Sequence, residues 1–123
     1  PGAVFPLAAK ALSDIGIAFL ELREVGAEGT FGATDQPKVS PLIRPVFDGP
    51  LVLNQDYDLA RAEADVGSRL ADAIAFGRPF ISNPDLPERL RAGAPLTPDA
   101  MATWYSAGPE GYTDYPPLER VAA

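Results

Sequence analysis

The sequence contains no histidine and no cysteine among its 123 residues. Without cysteine there is no disulfide framework, no thiol nucleophile and no cysteine-ligated zinc site. Without histidine the commonest general base is missing, and with it Ser-His-Asp triads and histidine-rich metal sites. Positive charge is also scarce: 10 Lys+Arg stand against 17 Asp+Glu, a formal net charge of -7, with a pI near 4.4. Electrostatic affinity for nucleic acid grows with the number of phosphates that Lys and Arg neutralise, so no nucleic-acid partner is expected. No uncharged apolar run approaches the ~20 residues needed to span a bilayer, and no basic segment precedes one. The expectation is a soluble, cytoplasmic protein without a membrane partner or a bound metal.

What is present suits a folded chain. At 46% hydrophobic and 22% charged residues it lies in the globular range. A chain this long is about one domain, and it buries roughly two-thirds of its unfolded surface. Fourteen prolines are about twice the ~5% average usage. The chain opens on Pro1 rather than Met, which suggests processing, numbering of a mature piece, or a fragment.

Apolar spacing switches between two periods. Val4, Ala8, Ala11, Leu12 and Ile15 recur as the stripe of an amphipathic helix, with Gly16 placed to end it. Residues 17–22 form a short apolar run expected to be a buried strand. A Gly-rich loop follows over 23–37, then a second helical piece over 39–47. The Asp48-Gly49-Pro50 turn leads into a strand at Leu51-Val52-Leu53. Leu59, Ala62, Val66 and Leu70 make a further helical stripe, and residues 71–76 a third expected strand. Two short helices should follow, one capped by Asn83 with Pro84 at its first position and closed by Gly93, the other capped by Thr97 ahead of Pro98. Apolar strands separated by amphipathic helices imply βαβ units and a parallel sheet. A (β/α)8 barrel needs about 250 residues, so this chain could supply under half of one.

In parallel α/β folds, function collects at the C-terminal ends of the strands. Three segments qualify. Arg23 and Glu24 lead into the loop holding Gly26, Gly29 and Gly32, whose G-x-x-G-x-x-G spacing is not a dinucleotide fingerprint. This loop is either a mobile surface segment or a lid that presents Phe31 to a site. Asn54, Gln55, Asp56 and Tyr57 form either a plain turn and helix cap or a place where backbone N–H groups meet a ligand. The third segment, Gly77-Arg78-Pro79-Phe80, combines a backbone that a ligand can approach closely with a guanidinium fork suited to phosphate. Trp104 and Tyr105 either anchor a C-terminal helix to the core or present a ring and a phenol to a ligand. Glu63, Asp65, Arg89 and Arg91 are expected on solvated helix faces.

The stretch ADAIAFGRPFISNPDLPERLRAGAPL, followed by TWYSAGPEGYTDYP, resembles the carboxyl-terminal end of the Old Yellow Enzyme family, with IAFLELRE and GPLVLNQDYD similar to its sixth and seventh strands. The likeness is greatest to the bacterial cyclohexenone and N-ethylmaleimide reductases and runs through nearly the whole chain. It implies a C-terminal portion, about three βα units, of one (β/α)8 barrel domain spanning residues 1–123, with the N-terminal segment absent. It implies an NAD(P)H-dependent flavin ene-reductase: NAD(P)H reduces FMN, and the reduced flavin gives a hydride to the β-carbon of an activated alkene. Gly77 and Arg78 fall on the segment that holds the FMN phosphate. Gln55 and Asp56 fall on the preceding phosphate-contacting turn, where the carboxylate of Asp56 should point away from an anion. Phe80 resembles the aromatic residue beside the flavin's dimethylbenzene edge. Tyr105, its neighbour Trp104, and Phe31 are expected to face substrate. No catalytic residue is assigned to this chain, because the family's carbonyl-polarising pair and its proton donor lie on earlier strands. The implied partner is a complementary N-terminal segment, without which the chain should be unfolded or aggregate. The rival readings are a non-redox half-barrel that binds a phosphate ligand and another phosphate-handling barrel enzyme.

Overall fold

The computed structural model describes residues 2–118; Pro1 lies outside them. The chain divides into two compact units, Pro1–Ala75 and Phe76–Ala123.

In the first unit, α1 spans Val4–Ile15 and ends on Gly16, whose φ of 76° supplies the left-handed turn that closes a helix. The strands are β1 (Leu20–Arg23), β2 (Leu51–Asn54) and β3 (Ala73–Ala75), all parallel, in the order β1-β2-β3. In register, Arg23 stands beside Asn54 and Asn54 beside Ala75, so the three strands finish level. Between them run α2 (Ser40–Ile43) and α3 (Leu59–Gly67). The core is small: Leu51 and Leu53 of β2, with Ile43, Phe47, Ala62 and Ala71, are all buried. Asp58 caps α3 by accepting a hydrogen bond from the Arg61 backbone N–H at 2.8 Å.

The strand and helix order matches the expectation, while three boundaries do not. Strand β1 begins at Leu20 rather than Ile17, since the turn out of α1 occupies the intervening residues. The helical piece expected over 39–47 shortens to α2, Ser40–Ile43. The third strand shrinks to Ala73–Ala75 and is not buried, because it has a neighbour on one side only. The apolar stripe of α1 also faces outward: its Val4 and Ile15 are each more than two-thirds exposed, as is Leu7 beside it.

The second unit holds α4 (Arg78–Ser82), α5 (Leu86–Ala92) and one turn of 3-10 helix, Met101–Thr103. Beside the buried Leu86, its interior is built from the polar Ser82, Asn83 and Arg89. Asn83, fully buried, does not open a helix as its sequence context suggests but follows the end of α4. Its amide donates to the carbonyls of Pro79 and Thr97 and its oxygen accepts from the Thr97 N–H, which ties α4 to the 94–100 segment. Asp85 occupies the N-cap position of α5 instead. Thr97, engaged by Asn83, caps nothing, and no α-helix forms after it among the described residues. Among the described residues no helix is long and apolar enough to cross a membrane, and no group of three or more His, Cys, Asp or Glu could hold a metal ion.

Arg69, just past α3, adopts a φ of 62°. A side chain in this region costs about 1 kcal/mol relative to glycine. Arg69→Gly is therefore expected to raise the midpoint of thermal unfolding; an unchanged or lower midpoint contradicts the strain.

Candidate functional site

The level finish of the strands sets several polar groups side by side in the first unit. From the end of β1, Arg23 Nε donates to Gln55 Oε1 at 2.7 Å. Gln55, only 6% exposed, passes the contact on through its amide, which donates to Asp56 Oδ2 at 2.7 Å. The Asp56 carboxylate also accepts from the Thr30 N–H (3.1 Å) and the Thr30 hydroxyl (3.0 Å). Both Gln55 and Asp56 have positive φ, 96° and 52°. Such strained backbone persists where its surroundings over-determine it, and it concentrates at functional sites. The Gln55 N–H donates to Asn54 Oδ1 at 2.6 Å, so Gln55 is held by its backbone N–H as well as by its side chain. The Asp56 carboxylate is directed to the loop after β1, where Thr30 grips it. Phe31, next to Thr30 and half exposed, is covered on one face by the Arg23 guanidinium, 5.4 Å from its centroid.

Two neighbours steady this end of the unit. Glu24 Oε1 accepts from the Val39 and Ser40 N–H groups at 2.6 and 2.9 Å, anchoring the far end of the loop at the start of α2. Tyr57 is buried, donates its hydroxyl to Asp65 Oδ2 at 2.6 Å, and carries the Arg61 guanidinium 3.9 Å over its ring. Burial, followed by the bond to Asp65, pushes the Tyr57 phenol well above its usual pKa, so it remains a proton donor. Asp65 is accordingly half-buried and engaged, not the solvated residue its helical position suggested.

In the second unit, Gly77 precedes α4 and is exposed; a Cβ there would meet no atom within 4 Å, so its backbone is open to a ligand. Arg78 and Phe80 follow on the same short helix, Arg78 half-buried and Phe80 45% exposed. Trp104 and Tyr105 lie beyond the 3-10 turn and not on a helix. Trp104 is half-buried, whereas Tyr105 is 95% exposed and anchors nothing. The structure thus brings Gln55, Asp56 and, through Thr30 and Arg23, Phe31 into one cluster. Gly77, Arg78 and Phe80 form another.

Arg89 departs most from expectation. It is 6% exposed, not solvated: its Nε donates to Asp85 Oδ1 (2.7 Å) and its terminal nitrogens to the carbonyls of Pro95 and Pro116 (both 3.0 Å). Asp85 Oδ2 in turn accepts the Leu118 N–H at 2.6 Å. The Asp85–Arg89 spacing of four residues was a readable sign of pairing on a helix. Burial under the proline-rich tail depends on contacts with residues far along the chain, which local spacing does not encode.

No family model matches the chain. Among curated proteins it is 36% identical over 127 residues to a putative 12-oxophytodienoate reductase of Oryza sativa subsp. japonica, covering 97% of this chain and 31% of the relative. It is 41% identical over 73 residues to a probable flavin mononucleotide-dependent alkene reductase of Leishmania infantum, covering 59% of this chain and 20% of the relative. Among solved structures, the old yellow enzyme homologue from Zymomonas mobilis superposes with a TM-score of 0.91 at 63% identity, over 94% of this chain and 32% of that one. Morphinone reductase in complex with tetrahydroNAD superposes with a TM-score of 0.84 at 40% identity, over 98% of this chain and 31% of that one. The chain spans about a third, or less, of the length of the proteins it matches.

The Arg89 guanidinium, then the Leu118 N–H, hold the Asp85 carboxyl below the usual carboxylate range. A depressed pKa stabilises the folded form above the unfolded value, roughly pH 3.9, and this contribution is lost as pH falls through the folded value. The NMR chemical shift of the Leu118 amide proton should therefore report the titration of Asp85, with a midpoint below about pH 3.9. A midpoint at or above that value contradicts the pairing.

Proposed function

On the footing that the chain is a homologue of the old yellow enzymes, we propose that it is the C-terminal portion, strands six to eight, of a (β/α)8-barrel FMN-dependent ene-reductase that reduces electron-poor alkenes at the expense of NAD(P)H. The likeness to the Zymomonas mobilis structure through nearly the whole chain carries this reading. The name of the Leishmania infantum relative supports FMN, and the morphinone reductase complex supports a nicotinamide donor.

The residues present fit the cofactor. Gly77 leaves its backbone open, and Arg78 beside it offers a permanent cation whose planar fork matches a phosphate. These two are assigned to the FMN phosphate, and exposed Phe80 to the edge of the flavin ring. In the first unit the strained turn at Gln55 and Asp56 is assigned to the cofactor as well. The role of Gln55 there is to fix the turn, since its side chain is spent on Arg23 and Asp56. The carboxylate of Asp56, drawn to Thr30, leaves contact with an anion to the backbone. Phe31, Trp104 and Tyr105 are assigned to the alkene substrate; the exposed Tyr105 phenol is available as a hydrogen-bond donor. When bound, FMN supplies the hydride relay between nicotinamide and alkene. This chain's residues bind and orient it.

A complementary N-terminal segment of the same enzyme is the proposed partner. Strands β1 and β3 are both sheet edges, and unpaired edges invite further strands. Val4, Leu7 and Ile15 along α1, and Phe19 ahead of β1, are exposed large apolar groups of the kind a packed barrel covers.

Arg78→Ala in the completed enzyme should weaken FMN retention about tenfold, the effect of losing one charge-assisted contact to phosphate. The measurement is flavin absorbance per mole of protein after gel filtration. Unchanged flavin content overturns the assignment of Arg78.

A further inference from the structure

The contacts around Gln55 close into a ring. Arg23 binds Gln55, Gln55 binds Asp56, Asp56 binds Thr30, Thr30 is followed in the chain by Phe31, and the Phe31 ring lies against Arg23. Two of these links, Thr30 to Asp56 and Phe31 to Arg23, join the loop after β1 to the ends of β2 and β1, and the bond from Arg23 to Gln55 joins those two ends to each other. Inside the loop, the N–H groups of Gly29 and Thr34 both donate to the Gly26 carbonyl, which folds residues 26–34 on themselves. A Cβ on Gly29 would lie 2.4 Å from the Gly32 carbonyl oxygen, so only glycine permits that fold. The loop therefore comes to the sheet as a preformed turn, and Thr30 is its point of attachment.

We propose that Thr30 is a positioning residue: by gripping Asp56 through both its N–H and its hydroxyl, it holds Phe31 in place over the strand ends and so sets affinity for the substrate. This rests on the assignment of Phe31 to the substrate. The physical basis is two donors on one carboxylate. Hydrogen bonds to a charged acceptor are worth more than neutral ones, and the backbone donor makes the grip a property of the loop's path. Because Thr30 is exposed, losing its hydroxyl leaves no buried vacancy. With the hydroxyl gone the loop keeps the Thr30 N–H bond to Asp56 and the cation–π contact of Phe31 with Arg23, so its attachment is weaker by one charge-assisted hydrogen bond. A loop so loosened samples more conformations, and substrate binding must then supply the ordering.

The test compares Thr30→Val, which keeps the shape and removes the hydroxyl, with Thr30→Ser, which restores it, both in the flavin-loaded holoenzyme. Amide hydrogen exchange over residues 25–34 should quicken about tenfold in T30V and return toward the parent rate in T30S. KM for an enone substrate should rise severalfold in T30V while kcat and the flavin absorbance spectrum hold. Unchanged exchange in T30V overturns the latch. Faster exchange with an unchanged KM supports the latch and overturns the assignment of Phe31 to the substrate. A lost flavin spectrum in T30V also overturns the proposal, because Thr30 would then act on the cofactor and not on the loop.

Discussion

Parallel pairing about β2 is the constraint on which the remainder of the first unit depends. Parallel strands run in the same direction, so their C-terminal ends must finish on one side, and the register here makes them finish level. Leu51 and Leu53, both essentially without exposure, fix β2 between its neighbours, since a slip of one residue would turn them out of the core. That fixed register sets Arg23 beside Asn54, within reach of Gln55. The strained turn, the grip of Thr30 and the placement of Phe31 all follow from it.

The same constraint explains why so much apolar surface is left outward. A three-stranded parallel sheet has two free edges, and parallel sheets are ordinarily covered on both faces. Here the buried apolar side chains cluster about β2, while much of α1 looks outward. In the second unit, polar groups hold the fold: Asn83, Ser82 and Arg89 are buried and hydrogen-bonded to carbonyls that the proline-rich segments cannot pair among themselves. Proline lacks a backbone N–H, so segments rich in it bring acceptors without donors. Side-chain donors from α4 and α5 meet that need.

Much of this was legible from residue spacing. The stripe from Val4 to Ile15 with Gly16 behind it located α1 to the residue, and the alternation of apolar runs with helical stripes gave the parallel sheet. Strand limits were less legible: residues 71–76 read as a buried strand because the run is mostly apolar, yet a sheet edge leaves β3 half open. Long-range polar contacts were illegible. Asn83-Pro84-Asp85 reads locally as a helix start, but Asn83 pairs with Thr97, 14 residues on, and Arg89 with Pro116, 27 on. Positive φ at Gln55 and Asp56 was hidden too, because neither residue is glycine, the usual marker of that conformation.

Native mass spectrometry of everything that accompanies the chain when it is isolated from its source tests the central claim most directly. A portion of a flavin barrel should be found bound to a longer complementary polypeptide, whether noncovalently or as one continuous chain with it, together with one FMN. The 123-residue chain found alone, folded and free of flavin, would contradict the account.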